Sequence, residues 1–168
     1  MAAIPPQRAA ALALLCVCAA GPTQSADALR NWFGDPFFQI SAALADCPLP
    51  AGPFVDETEK RVAAHHRAEK GTTCWLAKEC DRPNAYAYDA DIAAAFQQAL
   101  RDGGGVPDSS LWVTVQGRVI YVEGCARDEA VVARVEALAR SVPYVQQALA
   151  IIRTDARAQP PYRLRAPQ

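Results

Sequence analysis

The chain has 168 residues, of which 51% are hydrophobic and 21% are charged, a globular composition that excludes a long disordered protein. Its 17 basic and 18 acidic residues give a formal net charge of −1. The broad excess of positive charge that is typical of nucleic-acid-binding domains is therefore absent, and we expect no nucleic-acid partner. The length suits one domain with a smaller appendage.

The amino-terminal residues have the pattern of an export signal. Arg8 precedes an apolar run over residues 9–20, which is as long as a signal-peptide core and shorter than the roughly 20 apolar residues that a transmembrane helix needs. Ala26 and Ala28 provide the small residues that signal peptidase prefers. We therefore predict that residues 1–28 are a signal peptide, cleaved near Ala26 or Ala28.

The number of cysteines in the mature chain follows from that prediction. Six are present, and cleavage would remove Cys16 and Cys18. An even number in an exported chain indicates two disulfides, although the sequence leaves the pairing open. The cysteines that remain are Cys47, Cys74, Cys80 and Cys125.

Residues 29–88 are rich in Pro and aromatic residues, and we predict an irregular, partly helical segment that carries three of these cysteines. One helix is predicted over residues 57–69, with a capping box of Asp56 and Glu59 and with Gly71 as its terminator. A second is predicted over residues 37–45, where apolar residues fall at helical spacing. Residues 72–88 are predicted to be irregular.

Residues 89–154 have a clear periodicity that predicts a helix, a hairpin, a helix and a strand, an αββαβ unit of the α+β class. Asp89 is predicted to cap the first helix and Asp128 the second. Gly at the first position of the two-residue connection Gly117-Arg118 suits a type II′ turn. The tail, residues 155–168, is rich in Pro and Arg and is predicted to be flexible.

The sequence WVTVQGRVIYVEGCARDEAVVARVEALARSVPYVQQALAII resembles the BON domain, a small periplasmic module of bacterial proteins. The hairpin exit Val119-Ile120-Tyr121-Val122-Glu123-Gly124 is similar to the hydrophobic-x-hydrophobic-x-Gly signature of that family. The chain has Tyr144 where the family usually has Gly. The resemblance implies a noncatalytic binding module of the periplasm, with membrane phospholipid or another envelope component as its partner.

Lipid contact would need a local patch, because residues 89–154 contain six Arg and eight acidic residues. Tyr144 and Arg140 are the candidate residues, an aromatic ring beside a cation near the end of the second helix. A surface Arg beside a loop Tyr usually has no function, however.

The N-terminal aromatic residues Trp32 and Phe33 offer a second candidate surface. Large rings concentrated in a short segment are either core or a partner site, and core is the default. The alternative function is therefore a structural or assembly protein that binds another envelope protein through this segment.

No catalytic, cofactor or metal site is predicted. His65 and His66 precede two cysteines, but their spacing is not that of a zinc site. Cys74 and Cys80 do not form a Cys-x-x-Cys motif, so a thiol-redox protein is a weaker hypothesis than a structural disulfide. Ser109 lacks the Gly-x-Ser-x-Gly context of a serine nucleophile.

Strand alternation gives a prediction for Cys125. Ile120 and Val122 should face the helices, while Tyr121 and Cys125 face the opposite side of the sheet together with Trp112. The N-terminal segment is the material that we expect to cover that face. Complete oxidation would then join Cys125 to Cys47, Cys74 or Cys80, whichever pairing holds.

Overall fold

The computed structural model describes Met1 and residues 28–165, which adopt an α+β fold around one four-stranded sheet. A 3₁₀ helix, Ala85–Tyr88, precedes α3. In chain order the other elements are β1 (Phe37–Ala42), α1 (Glu57–Gly71), α2 (Thr73–Leu76), α3 (Asp89–Asp102), β2 (Ser109–Gln116), β3 (Val119–Ala126), α4 (Glu129–Arg140) and β4 (Gln147–Arg153).

The sheet order is β1-β2-β3-β4, with antiparallel pairs on either side of β2 and a parallel pair between β3 and β4. Helices α3 and α4 cover the inner face, as the apolar periodicity predicted. The buried side chains of this core include Ile92, Phe96, Leu111, Val113, Val115, Ile120, Val122 and Val135.

Gly124 lies on this inner face, where β3 passes close to β2. Its φ is +141°, and a Cβ atom there would collide with the carbonyl oxygen of Ser110. Only glycine fits both the backbone conformation and the space. The Gly of the predicted hairpin-exit signature therefore has a steric cause.

The hairpin turn differs from the prediction. Gly117 and Arg118 both have positive φ, +59° and +69°. Positive φ at both central residues defines a type I′ turn, whereas type II′ needs it only at the first, so the predicted turn type is wrong. The carboxylate of Asp89 holds this turn by accepting hydrogen bonds from the amides of Gly117 and Arg118, at 2.7 and 2.8 Å.

The predicted helix over residues 37–45 is also wrong, because this segment forms β1. Phe37 pairs with Thr114 and Phe38 with Val113, and the register shifts between Gln39 and Ser41. The open edge of β2 offers backbone hydrogen-bonding groups that local spacing does not reveal. Tertiary pairing therefore overrides the helical spacing.

Helix α1 confirms its predicted capping box. Glu59 N donates to the Asp56 carboxylate at 2.7 Å, and Asp56 N donates to the Glu59 carboxylate at 3.3 Å. Residues 72–88 are more regular than predicted, since they contain α2 and the 3₁₀ helix.

The C-terminal residues do not match the predicted flexible tail. Leu164 forms a β-bridge with Pro50, and two backbone hydrogen bonds join Ala51 N to Arg163 O and Arg165 N to Leu49 O. Tyr162 is buried. Residues 162–165 are therefore paired with residues 49–51, and we call this paired stretch the C-terminal strap.

The predicted signal-peptide core and the cleavage site near Ala26 lie outside the residues that the structure describes. Within residues 28–165, every helix is too short or too polar to cross a membrane.

Candidate functional site at the hairpin end

Three connections of the fold meet at one end of the sheet: the Gly117-Arg118 turn, the turn over residues 142–146, and the 3₁₀ helix. We call this region the hairpin end. Gln146 N donates to the carbonyl oxygen of Arg118 at 2.8 Å, which ties the first two together. Asp89 ties the third to them through its hydrogen bonds to the hairpin turn.

Asp89 was predicted to cap α3, but the N-cap is Tyr88 and the Asp89 carboxylate lies buried under the turn. Burial raises the pKa of Asp89, while the donated N–H groups of Arg118 and Gly117 oppose that shift. The residue therefore fixes the hairpin end in place.

Tyr144 is the most exposed aromatic side chain of this end, with 52% of its surface accessible. Its φ is +68°, the left-handed region that favours glycine. Its ring lies 5.1 Å from that of Tyr88, and its carbonyl oxygen accepts a hydrogen bond from Arg118 Nε at 2.8 Å. A tyrosine thus occupies a glycine conformation and presents an aromatic ring to solvent.

The cations nearest Tyr144 were not all predicted. Arg118 contacts it directly, and Arg82 lies 4.7 Å from the ring centroid of Tyr88, the residue on which Tyr144 packs. Arg140, the predicted partner, lies in the last turn of α4 and forms a solvent-exposed ion pair with Glu136. Sequence reasoning missed Arg118 because its backbone conformation and its bond to Tyr144 depend on long-range packing.

Tyr88 connects this cluster to the segment that precedes it. Its ring is buried, and its hydroxyl oxygen accepts hydrogen bonds from the amides of Asp81 and Arg82, both at 2.8 Å. Arg82 also donates a hydrogen bond to the Asp91 carboxylate at 2.5 Å, and this interaction raises the pKa of Arg82. Residues 80–82 are therefore held firmly against the hairpin end.

A cavity of about 770 Å³ opens beside this cluster, between α1 and the outer face of the sheet. Ala63, His66, Arg67 and Lys70 follow one face of α1 and line one wall. The opposite wall and rim include Gly117, Val119, Tyr121, Gln146, Cys74 and Glu79. Cationic and polar side chains thus share the cavity wall with a larger apolar surface.

Arg67 has internal partners within that wall. It pairs at 2.8 Å with Asp35, which is buried, and its guanidinium lies 3.7 Å from the ring centroid of Tyr86 and 4.4 Å from that of Phe33. Gln116 Nε2 donates to the same carboxylate at 2.5 Å. This ion pair holds α1 against the sheet.

The N-terminal aromatics Trp32 and Phe33 are half-buried in this layer. Trp32 Nε1 donates to the carbonyl oxygen of Val55 at 2.9 Å, and the Lys60 ammonium lies 4.1 Å from its ring centroid. Phe33 packs against Arg67. Both rings have internal partners, which favours the packing role that was the default for them.

Two disulfides fix the N-terminal layer, and both are intramolecular: Cys47–Cys125 and Cys74–Cys80. The expectation that Cys125 is bonded to a cysteine of the N-terminal segment is confirmed, and the structure selects Cys47. Tyr162 of the C-terminal strap packs beside this bond, since its hydroxyl oxygen lies 3.5 Å from Cys47 Sγ. The outer face is therefore covered by the strap as well as by the N-terminal segment.

The second disulfide encloses a loop that sequence reasoning did not select. Trp75 and Leu76 within it are 47% and 76% exposed. The sequence signal that could have identified it is the adjacent Trp and Leu between two closely spaced cysteines, because so short a loop has little interior of its own.

Elsewhere on the outer face, Tyr121 and Glu123 are half-buried. Burial raises the pKa of both side chains, with Arg163 opposing the shift at Glu123.

No cluster of His, Cys, Asp or Glu suited to a metal is found among residues 28–165. His65 and His66 are both exposed and lie beside Glu69.

The hairpin end lies within a segment that matches a known protein family. Residues 88–147 match the family model described as "BON domain". The chain contains a BON domain. Searches of the curated proteins and of the solved structures found no match.

The BON domain match begins at Tyr88 and ends at Gln147, so it includes Tyr144, Arg118 and Arg140. Strand β1, α1 and the disulfide loop lie outside it. BON domains are noncatalytic binding modules, and β1 extends this one to a four-stranded sheet. Residues 28–87 thus add strand β1 to the sheet and a layer over its outer face.

Proposed function

We propose that the protein is a noncatalytic module of the bacterial periplasm that binds phospholipid surfaces through the hairpin end of its BON domain. Phospholipid binding is known for this family. The observation that carries the proposal is the exposed ring of Tyr144, which is held at positive φ beside cations. Aromatic rings and Arg side chains together suit the interface between headgroups and water.

The cations proposed for headgroup contact are Arg118, Arg82 and Arg140. Their ion pairs and contacts lie at the surface, where water screens them, so exchange of a carboxylate for a lipid phosphate costs little. Arginine also forms bidentate hydrogen bonds with phosphate. Because the domain itself carries more acidic than basic residues, contact depends on this patch rather than on the net charge.

Export is part of the proposal. The two disulfides support an oxidising compartment. Mass measurement of protein recovered from the periplasm is expected to show loss of residues 1–26 or 1–28. An intact amino terminus in a membrane fraction would indicate an uncleaved anchor instead.

Co-sedimentation with vesicles tests the lipid partner. The protein recovered from the periplasm is mixed with phosphatidylglycerol vesicles and, separately, with phosphatidylcholine vesicles. Tyr144→Ser is expected to weaken binding, whereas Tyr144→Phe keeps the ring and binds like the wild type. Val62→Ser, at an exposed apolar position on α1, is the control for loss of apolar surface.

Two results would count against the proposal. If the wild-type protein binds neither kind of vesicle, phospholipid is not its partner. If it binds and Tyr144→Ser binds equally well, the hairpin end is not the contact surface. A pull-down from envelope extracts would then test the protein partner, with Trp32 and Phe33 as the first positions to vary.

A further inference from the structure

The Cys74–Cys80 disulfide closes a loop with a fixed shape. Helix α2 occupies its first half, and Lys78 turns the chain back at a φ of +59°. Glu79 N donates to the carbonyl oxygen of Cys74 at 2.8 Å, and Lys78 N donates to that of Trp75 at 3.0 Å. Backbone hydrogen bonds and the disulfide together hold the loop closed.

The loop is also anchored to the body of the protein. Cys74 is buried, and the residues that follow Cys80 donate two backbone hydrogen bonds to the hydroxyl of Tyr88. Tyr88 is itself part of the core. The exposure of the loop's apolar residues is therefore a property of a fixed conformation and not of a loose segment.

Trp75 and Leu76 occupy adjacent positions of α2 in this anchored loop. Their exposed fractions, 47% and 76%, place them among the few large apolar residues of the described chain that face water. Single exposed apolar residues are ordinary, but an exposed Trp and an exposed Leu at adjacent positions of a rigid loop add apolar surface at one place. We call Trp75 and Leu76 the loop tip.

The size of the loop tip favours a bilayer over a protein as its partner. A stable protein interface buries about 800 Å² on each side, much more than two side chains can offer. A bilayer interface needs no complementary shape, and single Trp and Leu side chains can enter it. The exposed Lys78 lies in the same disulfide loop and suits anionic headgroups, and Glu79 is its neighbour in sequence.

The loop is continuous with the surface proposed for lipid contact. Cys74 and Glu79 line the same cavity as Gly117 and Gln146, which belong to the hairpin end. Tyr88 contacts both the ring of Tyr144 and the backbone that leaves the loop. The loop tip and Tyr144 thus belong to one end of the molecule.

We propose that the loop tip inserts into the headgroup region of a phospholipid bilayer and is a second membrane contact besides Tyr144. This inference rests on the proposed lipid function and assigns it an element outside the BON domain. The disulfide keeps Trp75 and Leu76 projecting, so that little conformational freedom is lost on insertion.

Vesicle binding and tryptophan quenching test the inference on the same protein. Trp75→Ser/Leu76→Ser is expected to weaken binding to phosphatidylglycerol vesicles by about tenfold, since two partly exposed apolar side chains no longer leave water. Val62→Ser is the control. Bromine-labelled lipid chains are expected to quench the emission of the wild type more than that of Trp75→Phe, because Trp32 and Trp112 remain in both.

The outcomes separate this inference from the proposed function. Weaker binding of the double variant with quenching at Trp75 supports insertion of the loop. If the wild type binds and Tyr144→Ser weakens binding, but the double variant binds normally and Trp75 is not quenched, the loop inference is overturned while the lipid function stands. If the wild type binds no vesicle, both are overturned. Because Trp75 and Leu76 are exposed, their replacement leaves the core intact.

Discussion

The Cys47–Cys125 disulfide is expected to contribute more stability than the Cys74–Cys80 disulfide, because it closes the longer loop. The sequence separations are 78 and 6 residues. Loop-closure entropy in the unfolded chain corresponds to about 4.5 kcal/mol for the first and about 2 kcal/mol for the second. Cys47→Ser/Cys125→Ser should therefore lower the unfolding free energy by about 2 kcal/mol more than Cys74→Ser/Cys80→Ser.

The structure also indicates which residues should become less stable when the Cys47–Cys125 disulfide is removed. Strand β1 keeps its hydrogen bonds to β2 without the disulfide, but residues 43–55 lose their covalent attachment to β3. The C-terminal strap is affected indirectly, because it is hydrogen-bonded to residues 49–51. Amide hydrogen exchange should therefore accelerate in residues 43–55 and 162–165 and stay slow in the core strands. Denaturant unfolding gives the magnitude, with the Cys74/Cys80 variant as the matched control.

Two results would refute this reasoning. An unfolding free energy that falls equally in both variants would show that loop length does not set the stabilisation. Uniform acceleration of exchange over β2 and β3 would show that the disulfide supports the BON core rather than the outer layer. Mass mapping of the unreduced, alkylated protein checks the pairing itself, since a free thiol at Cys125 would contradict it.

Three further predictions follow from single side chains. Tyr144→Gly should change the unfolding free energy by less than about 1 kcal/mol, because relief of the left-handed backbone offsets the lost ring contact, yet it should weaken vesicle binding as Tyr144→Ser does. Stable protein with normal vesicle binding would contradict this. Burial raises the pKa of Glu123, with Arg163 opposing, so the folded state takes up the proton before the unfolded state as the pH falls. Denaturant unfolding should therefore show the wild type gaining stability relative to Glu123→Gln between pH 7 and about 4.5, and a loss over that range would contradict the sign. Gly124→Ala should cost more than about 3 kcal/mol or prevent folding, because its Cβ meets the carbonyl oxygen of Ser110; thermal unfolding near the wild-type midpoint would exclude the clash.

The inner face of the sheet could be predicted because its signals are local. Apolar residues recur at helical spacing in α3 and α4 and at alternate positions in β2 and β3. Each pattern is set within one element, and burial on one face follows from it. Ile120 and Val122 are buried as the alternation required.

The outer face could be predicted only in part, because its contacts join distant residues. Phe37 lies in β1 through pairing with Thr114, which its neighbours in sequence do not reveal. The C-terminal strap was missed for the same reason, since its partners lie near residue 50. Enumeration of the cysteines required a bond to Cys125 but could not select Cys47.

Asp89 shows why a correct residue can receive the wrong role. An acidic residue before an apolar helical pattern indicates an N-cap, and that signal is local. The structure uses the same carboxylate to bind the amides of Gly117 and Arg118, almost thirty residues later. Only the folded hairpin brings those donors to it, so the sequence gives no sign of the contact.

Tyr144 and Arg118 present a related case that bears on the proposed function. Both are non-glycine residues at positive φ, and each such residue costs about 1 kcal/mol or more. They lie in contact, because Arg118 Nε donates to the carbonyl oxygen of Tyr144. Glycine at either position would relieve the backbone but remove the ring or the cation from the hairpin end. This cost is consistent with the proposed membrane contact, and unaltered stability with impaired vesicle binding in Tyr144→Gly is the result that would support it.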